Sequence, residues 1–196
     1  MFRIIGLQNK GQQYQETPHN IGGEILEKIW KNNPDFFSDL YFSKSRNADI
    51  SEGLIEKNEL ELLFPHTFMN LSGNVLPRDI KEKDIEKIIV LHDDIDLPFG
   101  KVKIVFGRGD GGHNGLKSII KKTNSKDFIR IKIGVCPLNF FGKCKKPSKE
   151  YLNKYLVDKS LPFKYTKQYL KISEDVKEII TEIIKTDYKK AMNKYN

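Results

Sequence analysis

KIIVLHDDIDLP, residues 87–98, reads as a buried strand that ends in charge. The run from Ile88 to Leu91 is continuously apolar, the pattern of a strand covered on its faces. Strands and helices alternate on both sides of it. Upstream, FRIIGL (2–7) is an apolar strand. Residues 20–31 place Ile21, Ile25, Leu26, Ile29 and Trp30 at helical spacing, and NNP then stops the helix. ADISEGLI (48–55) and ELELLFP (59–65) form two strands joined by EKN, and TFMNLSGNVL (67–76) begins a helix or tight turn. Downstream, KVKIVF (101–106) and FIRIKIGV (128–135) are strands, with the short helix NGLKSIIKKT (114–123) between them. From Ser160 onward the pattern is helical: Tyr169, Ile172, Val176, Ile179 and Ile183 form one apolar stripe, widened by Ile180 and Ile184.

This alternation predicts an α/β fold, a single domain over 1–196. Its expected form is layered: a twisted mixed β-sheet flanked by helices. Residues 160–195 form a C-terminal helical region. The adjacent strand pairs near 47–64 and 88–106 suggest that some pairing is antiparallel. No internal repeat or low-complexity linker divides the chain.

Composition limits the function. The 196 residues are enough for a real core, yet only 38% are hydrophobic and 31% are charged. No apolar run approaches the roughly 18 residues of a membrane span. MFRIIGLQNKG, a strand running into a turn, lacks the pattern of a signal peptide. Cys136 and Cys144 have neither CxxC nor zinc-type spacing, so free thiols in a cytoplasmic protein are the simple expectation. The net charge of +8 favours a polyanionic partner, nucleic acid first. Lysine excess from coding bias gives the same number without any partner.

Polar residues collect where strands end. Asn9 follows the first strand, Asn70 follows ELELLFPHTF, Asp93 follows IIVL, and Asn114 lies in the glycine loop GRGDGGHNG (107–115). Ligands of open α/β sheets sit at such ends, so these four residues and His19 are candidates for one cleft. Gly107, Gly109 and Gly112 formally satisfy GxGxxG. The next strand runs into GVCPLN without the acidic residue of a dinucleotide site, and Leu116 separates Gly115 from Lys117 and so breaks a P-loop. The loop is left as a close backbone approach to a ligand, with helix amides behind it.

HDDIDLP (92–98) has the carboxylates of a magnesium site, but strand alternation puts Asp93 opposite Asp94 and Asp96. No GxSxG elbow and no HExxH occur. A histidine-activated water, with one carboxylate fixing the imidazole tautomer, is the simplest hydrolytic scheme. His19 in ETPHNIGG (16–23) is then a base, and otherwise a polar cap.

Four motifs together resemble the bacterial-type peptidyl-tRNA hydrolases. GLQNKGQQYQETPHNIG (6–22) is similar to that family's opening motif. PHTFMNLSG (65–73), HDDIDLPFG (92–100) and GGHNGLKSI (111–119) match its later motifs in order. The resemblance implies hydrolysis of the ester between a peptidyl or N-blocked aminoacyl group and the 3′ ribose of tRNA. It implies no cofactor, no metal, and a cytoplasmic monomer whose partner is the tRNA acceptor end. Carried over by position, His19 is the catalytic base and Asp93 its carboxylate. Asn9 distinguishes blocked from free aminoacyl groups, and Asn70 and Asn114 hold substrate and water. Tyr14 and Phe68 line the groove. Lys103, Arg130 and Lys132 fall in the family's basic tRNA patch, although Val105 stands where a second lysine is common. Lys117, Lys121 and Lys122 are further basic candidates. Gln8, Lys10, Pro18 and Cys136 depart from the family pattern. Residues 140–156, FFGKCKKPSKEYLNKYL, are either a lid whose lysines reach phosphates or a loop that packs its aromatics inward.

Two other classes stay open on the residues alone. One is a non-catalytic RNA-binding protein on the same fold. The other is a metal-dependent phosphohydrolase built on HDDID.

Overall fold

β1 (Phe2–Gly6) and β5 (Ile88–Pro98) are neighbours at the centre of a seven-stranded sheet, which explains their apolar runs. A computed structural model describes residues 1–158 and 166–196. The strand order is β2-β3-β4-β1-β5-β7-β6, with β2 at Tyr41–Ser43, β3 at Ala48–Ile55, β4 at Asn58–Pro65, β6 at Val102–Phe106 and β7 at Ile129–Cys136. β4, β1, β5 and β7 run parallel, so their C-terminal ends share one edge. β3 and β6 run antiparallel to their neighbours and complete the expected mixed sheet.

Alternation along the strands gives the sheet two apolar faces. On one face Ile4, Leu62, Ile89, Leu91 and Ile131 meet α1 (Ile21–Lys31) and α5 (Thr166–Lys185). On the other, Ile5, Leu63, Ile88 and Val90 meet α3 (Asn114–Thr123) and a 3-10 turn at Met69–Val75. Each fully buried isoleucine or leucine contributes roughly 1.5–3 kcal/mol. The short helix α2 (Glu82–Ile85) leads into β5, and α4 (Lys149–Asp158) follows β7. α6 (Tyr188–Tyr195) covers the β6 edge: Tyr188 stacks on Phe106 at 4.2 Å, and the Asn196 amide pairs with both backbone groups of Ile104. The 160–165 stretch of the expected C-terminal helix lies outside the described residues. Among the described residues, no helix is long and apolar enough to cross a membrane.

The structure corrects three expectations. The strands at 88–98 and 102–106 are not paired with each other, because β7 lies between them. The turn after Pro98 crosses the end of β7, with Phe99 N–H donating to Cys136 O at 3.0 Å. A Cβ on Gly134 would overlap Pro98 O, so glycine is required at the crossing. The cysteines are not free. Leu138 and Cys144 pair as an antiparallel bridge, which brings the Cys136 and Cys144 Cα atoms to 5.7 Å and joins them in a disulfide. The 140–156 segment does not pack all its aromatics inward. Phe140 and Phe141 face solvent, while the Tyr155 hydroxyl donates to Val135 O at 2.7 Å.

Two glycines set the position of α1. A Cβ on Gly22 would overlap Leu91 O, and one on Gly6 would lie 2.7 Å from Gly22 O. The helix start therefore rests directly on the end of β1 and on β5 at Leu91. Gly22→Ala should displace α1 and destabilise the fold by about 1–3 kcal/mol. Urea unfolding of the variant checks this, and an unchanged midpoint would mean that the contact relaxes freely.

Candidate active site

The 3-10 turn Pro18–Asn20 leads into α1 and carries His19 to Asp93, midway along β5. Pro18 takes the first position of that turn, where its missing N–H costs nothing. His19 Nδ1 lies 2.8 Å from Asp93 Oδ1. The same oxygen lies 2.9 Å from His113 Nε2. His113 is the N-cap of α3, and its Nδ1 accepts from the Gly115 and Leu116 amides at 3.1 and 3.4 Å. That bond pattern fixes the tautomer: Nε2 of His113 carries the hydrogen and donates it to Asp93. His19 likewise donates from Nδ1, which leaves its Nε2 lone pair for another proton.

The electrostatics follow from burial. Burial opposes protonation of His19, but the charge and hydrogen bond of Asp93 outweigh it and hold the pKa above the ordinary imidazole value. Burial works to raise the Asp93 pKa. The two imidazoles overcome it and keep the carboxyl well below the usual range. His92 has no such partner. Its Nδ1 faces Asp93 O at 2.7 Å, its Nε2 is buried without a hydrogen bond, and burial pushes its pKa down to about 3.

Asn9 joins this node to the next element. Its Oδ1 accepts from Met69 N–H at 2.8 Å, which turns its amide hydrogens away from that turn. Its backbone is held by Asn20, which accepts from Asn9 N–H at 2.8 Å and donates to Asn9 O at 3.1 Å. Asn70 is the second residue of the turn that Asn9 anchors, and Asn114 directly follows His113; both are exposed. Gly73 N–H donates to Ser118 Oγ at 2.9 Å and locks that turn to α3.

A family model described as peptidyl-tRNA hydrolase matches residues 3–196. The chain belongs to the peptidyl-tRNA hydrolase family. It is therefore an enzyme, a carboxylic-ester hydrolase, and the resemblance of its four motifs is borne out. A relative from Thermodesulfovibrio yellowstonii is 36% identical over all of this chain and 99% of its own length. One from Aliarcobacter butzleri is 43% identical over 69% of this chain and 70% of its own. The crystal structure of peptidyl-tRNA hydrolase from Acinetobacter baumannii superposes with a TM-score of 0.83 at 25% identity, covering all of this chain and 94% of that one.

The remaining candidates separate by exposure. Tyr14 is half-buried and Phe68 is exposed, immediately before the anchored turn. Lys103 is exposed on β6, opposite Lys132 on β7, and Lys132 pairs with Asp94 at 2.6 Å. Arg130 departs from the expected surface contact. It is 1% exposed, and its guanidinium donates to the carbonyls of Arg108 and Gly109. It supports the glycine loop from beneath instead of offering charge to a phosphate. The HDDID carboxylates also part company: Asp93 serves the histidines, Asp94 pairs with Lys132, and Asp96 pairs with Lys146.

Among the described residues, His19, Asp93 and His113 are the groups that could hold a metal, their ligand atoms lying within 4.8 Å of one another. A cation bound through the two ring nitrogens that face Asp93 would have to displace the N–H protons that hydrogen-bond to it. His113 and Asn20 went unrecognised in the sequence. The signal for His113 was its place before α3 in GGHNG, and that for Asn20 its place beside His19 in GLQNKGQQYQETPHNIG.

Stability should depend on pH in two opposing ways. His92 binds its proton only when unfolded between about pH 6.5 and its folded pKa of about 3, so stability falls as pH drops through that window. Glu24, buried and raised to about 7, opposes this above its ordinary value. In a Glu24→Gln background, stability should fall by about 1.4 kcal/mol per pH unit from pH 6 down to about 4.5, above the range in which protonation of Asp93 adds its own slope. His92→Asn should flatten that slope; equal slopes in denaturant midpoints would remove His92 as the cause.

Proposed function

We propose that this chain hydrolyses peptidyl-tRNA through a water activated by His19, and so returns tRNA from aborted translation. Family membership supports the reaction class. The single observation that carries the mechanism is the node at Asp93. It holds His19 in the tautomer whose Nε2 can take a proton, and it raises the basicity of that nitrogen.

Water loses a proton to His19 Nε2 as its oxygen attacks the ester carbonyl. The imidazolium, stabilised by Asp93, then returns the proton to the departing 3′ oxygen of the ribose. Asn9 presents amide hydrogens to the substrate because its own oxygen is taken by Met69, which suits a group that distinguishes an N-blocked aminoacyl chain from a free ammonium. Asn70 and Asn114 flank the node on the two elements joined through Ser118, and their amides supply neutral donors for carbonyl oxygen and water. Tyr14 and Phe68 supply apolar surface to the same groove. Lys103 and Lys132 lie opposite each other beside the site and suit the tRNA acceptor end. The reading takes the enzyme as a cytoplasmic monomer that needs no metal.

His19→Ala should lower kcat on N-acetyl-aminoacyl-tRNA by about two to four orders of magnitude while tRNA binding persists. Full turnover would remove His19 from the mechanism. Wild-type turnover should survive excess EDTA, and its loss would revive the metal reading.

The pH–rate profile gives a further check. Neutral His19 is the base, so activity rises with pH through a pKa above the ordinary imidazole value. In Asp93→Asn the desolvation of His19 is no longer offset. Its acidic limb should move to lower pH and its plateau should fall. An unmoved limb would separate Asp93 from the basicity of His19.

Affinity for tRNA should fall linearly in log–log plots against salt, and Lys103→Ala should reduce the slope by about one unit. A slope equal to wild type would place Lys103 outside the contact.

A further inference from the structure

Phe140 and Phe141 are 98% and 80% exposed, although phenylalanine ordinarily finds cover. The local backbone holds them out. Asn139 N–H donates to Lys143 O at 2.8 Å, and the Asn139 side-chain oxygen accepts from Phe141 and Lys143 amides at 3.0 and 2.9 Å. Gly142 closes the turn at a φ of 71°. Lys145 N–H donates to Pro137 O at 2.8 Å, and the Cys136–Cys144 disulfide ties the base to the end of β7. Residues 136–145 thus form a cross-linked finger with two rings at its tip. The rings meet edge to face with centroids 5.6 Å apart, so their faces point in two directions.

The surroundings of the finger are basic. Lys143, Lys145 and Lys149 are exposed, while Lys146 is taken up by Asp96. The finger stands beside the active site. It leaves β7 three residues beyond Ile133, the register partner of Asp93, and the α4 helix that follows packs against the turn carrying His19.

Aromatic faces among lysines suit a strand with phosphates and free base faces. A duplex keeps its bases stacked inside and offers no such faces. The nucleotides that carry the ester at the 3′ end of tRNA are unpaired. We propose that Phe140 and Phe141 form a stacking platform for those unpaired 3′ nucleotides, with Lys143 and Lys145 on the adjacent phosphates. The platform rests on the tRNA-ester reading above and adds the part of the substrate that this face recognises.

The test uses the full-length enzyme, intact tRNA, and the same tRNA trimmed of its unpaired 3′ nucleotides. In the double variant Phe140→Ala/Phe141→Ala, affinity for intact tRNA should fall at least about fivefold for each stack lost. KM for N-acetyl-aminoacyl-tRNA should rise correspondingly, with kcat within about threefold of wild type. Trimmed tRNA should bind variant and wild type alike, because the interaction partner is already gone. Phe140→Tyr/Phe141→Trp should bind intact tRNA as wild type does. Unchanged affinity of the alanine variant for intact tRNA would overturn the platform and leave the hydrolase reading standing. An equal loss on intact and trimmed tRNA would do the same. A wild type that neither binds nor hydrolyses the tRNA substrates would overturn both.

Discussion

One carboxylate oxygen, Asp93 Oδ1, accepts hydrogens from two imidazoles that arrive on different helices. His19 comes with the start of α1 on one face of the sheet, and His113 with the start of α3 on the other. Their meeting at Asp93, midway along β5, needs both helix starts seated within ångströms of that strand. Glycine permits this on the α1 side, where Gly22 lies against Leu91 O. On the α3 side the seat is polar: His113 caps the helix with the nitrogen it does not give to Asp93. The cap therefore decides the tautomer of the partner that shares the carboxylate. A structural requirement of α3 and a chemical requirement of the site are met by one ring.

The sheet and its helices were legible because periodicity reports burial. The 114–123 helix and the strands at 2–7, 48–55 and 59–65 follow directly from spacing. The strand order was not legible. The 88–98 and 101–106 segments look like neighbours along the chain, but β7 separates them, since the turn between them is held by Gly134 and Cys136 from a segment more than thirty residues on. The disulfide was missed for a related reason, as its spacing matches no motif and only the 138–144 bridge brings the two cysteines together. At the site, His19, Asp93 and Asn9 stood out because strand ends and the family pattern both marked them. Arg130 misled because its charge suggested a surface, whereas the Arg108 and Gly109 carbonyls of the loop above take it as a buried donor. Asn20 was marked by its place beside His19, but its bonds to the Asn9 backbone follow from no spacing in the sequence.

The departures from the family pattern read differently once the contacts are seen. Gln8 stands where glycine is usual, yet it is not among the residues with positive φ. Its amide donates to Pro65 O at 3.1 Å and bridges the ends of β1 and β4, and its side chain fills the space above Gly23. Lys10 stands where proline is usual, and its backbone N–H donates to Thr67 O at 3.1 Å, a bond that proline cannot make. In this chain the path through Asn9 is fixed by hydrogen bonds from both flanking residues, in place of a restricted backbone. Asn9 ends up held from either side and from Asn20 and Met69 as well.

That redundancy separates what must be rigid from what must meet the substrate. The buried and half-buried groups at the site are tied within the protein: Asp93 to two histidines, His113 to its helix, the Asn9 oxygen to Met69, and the terminal guanidinium nitrogens of Arg130 to the glycine loop. Most of the groups proposed to touch substrate, Asn70, Asn114, Phe68 and Lys103, are exposed on elements those bonds hold in place, while Asn9, Tyr14 and Lys132 are half-buried between the two sets. Reorganising a buried partner on binding would uncover an unpaired polar atom and cost about 1–3 kcal/mol. Rotating an exposed asparagine or lysine only exchanges contacts with water. A polymeric substrate as large as tRNA can therefore be fitted by side chains on the rim, while the one distance that sets the basicity of His19 stays constant. His92 marks the limit of this arrangement. It sits beside Asp93 with one nitrogen unsatisfied, so acid reaches the node through the neighbour that has no carboxylate of its own.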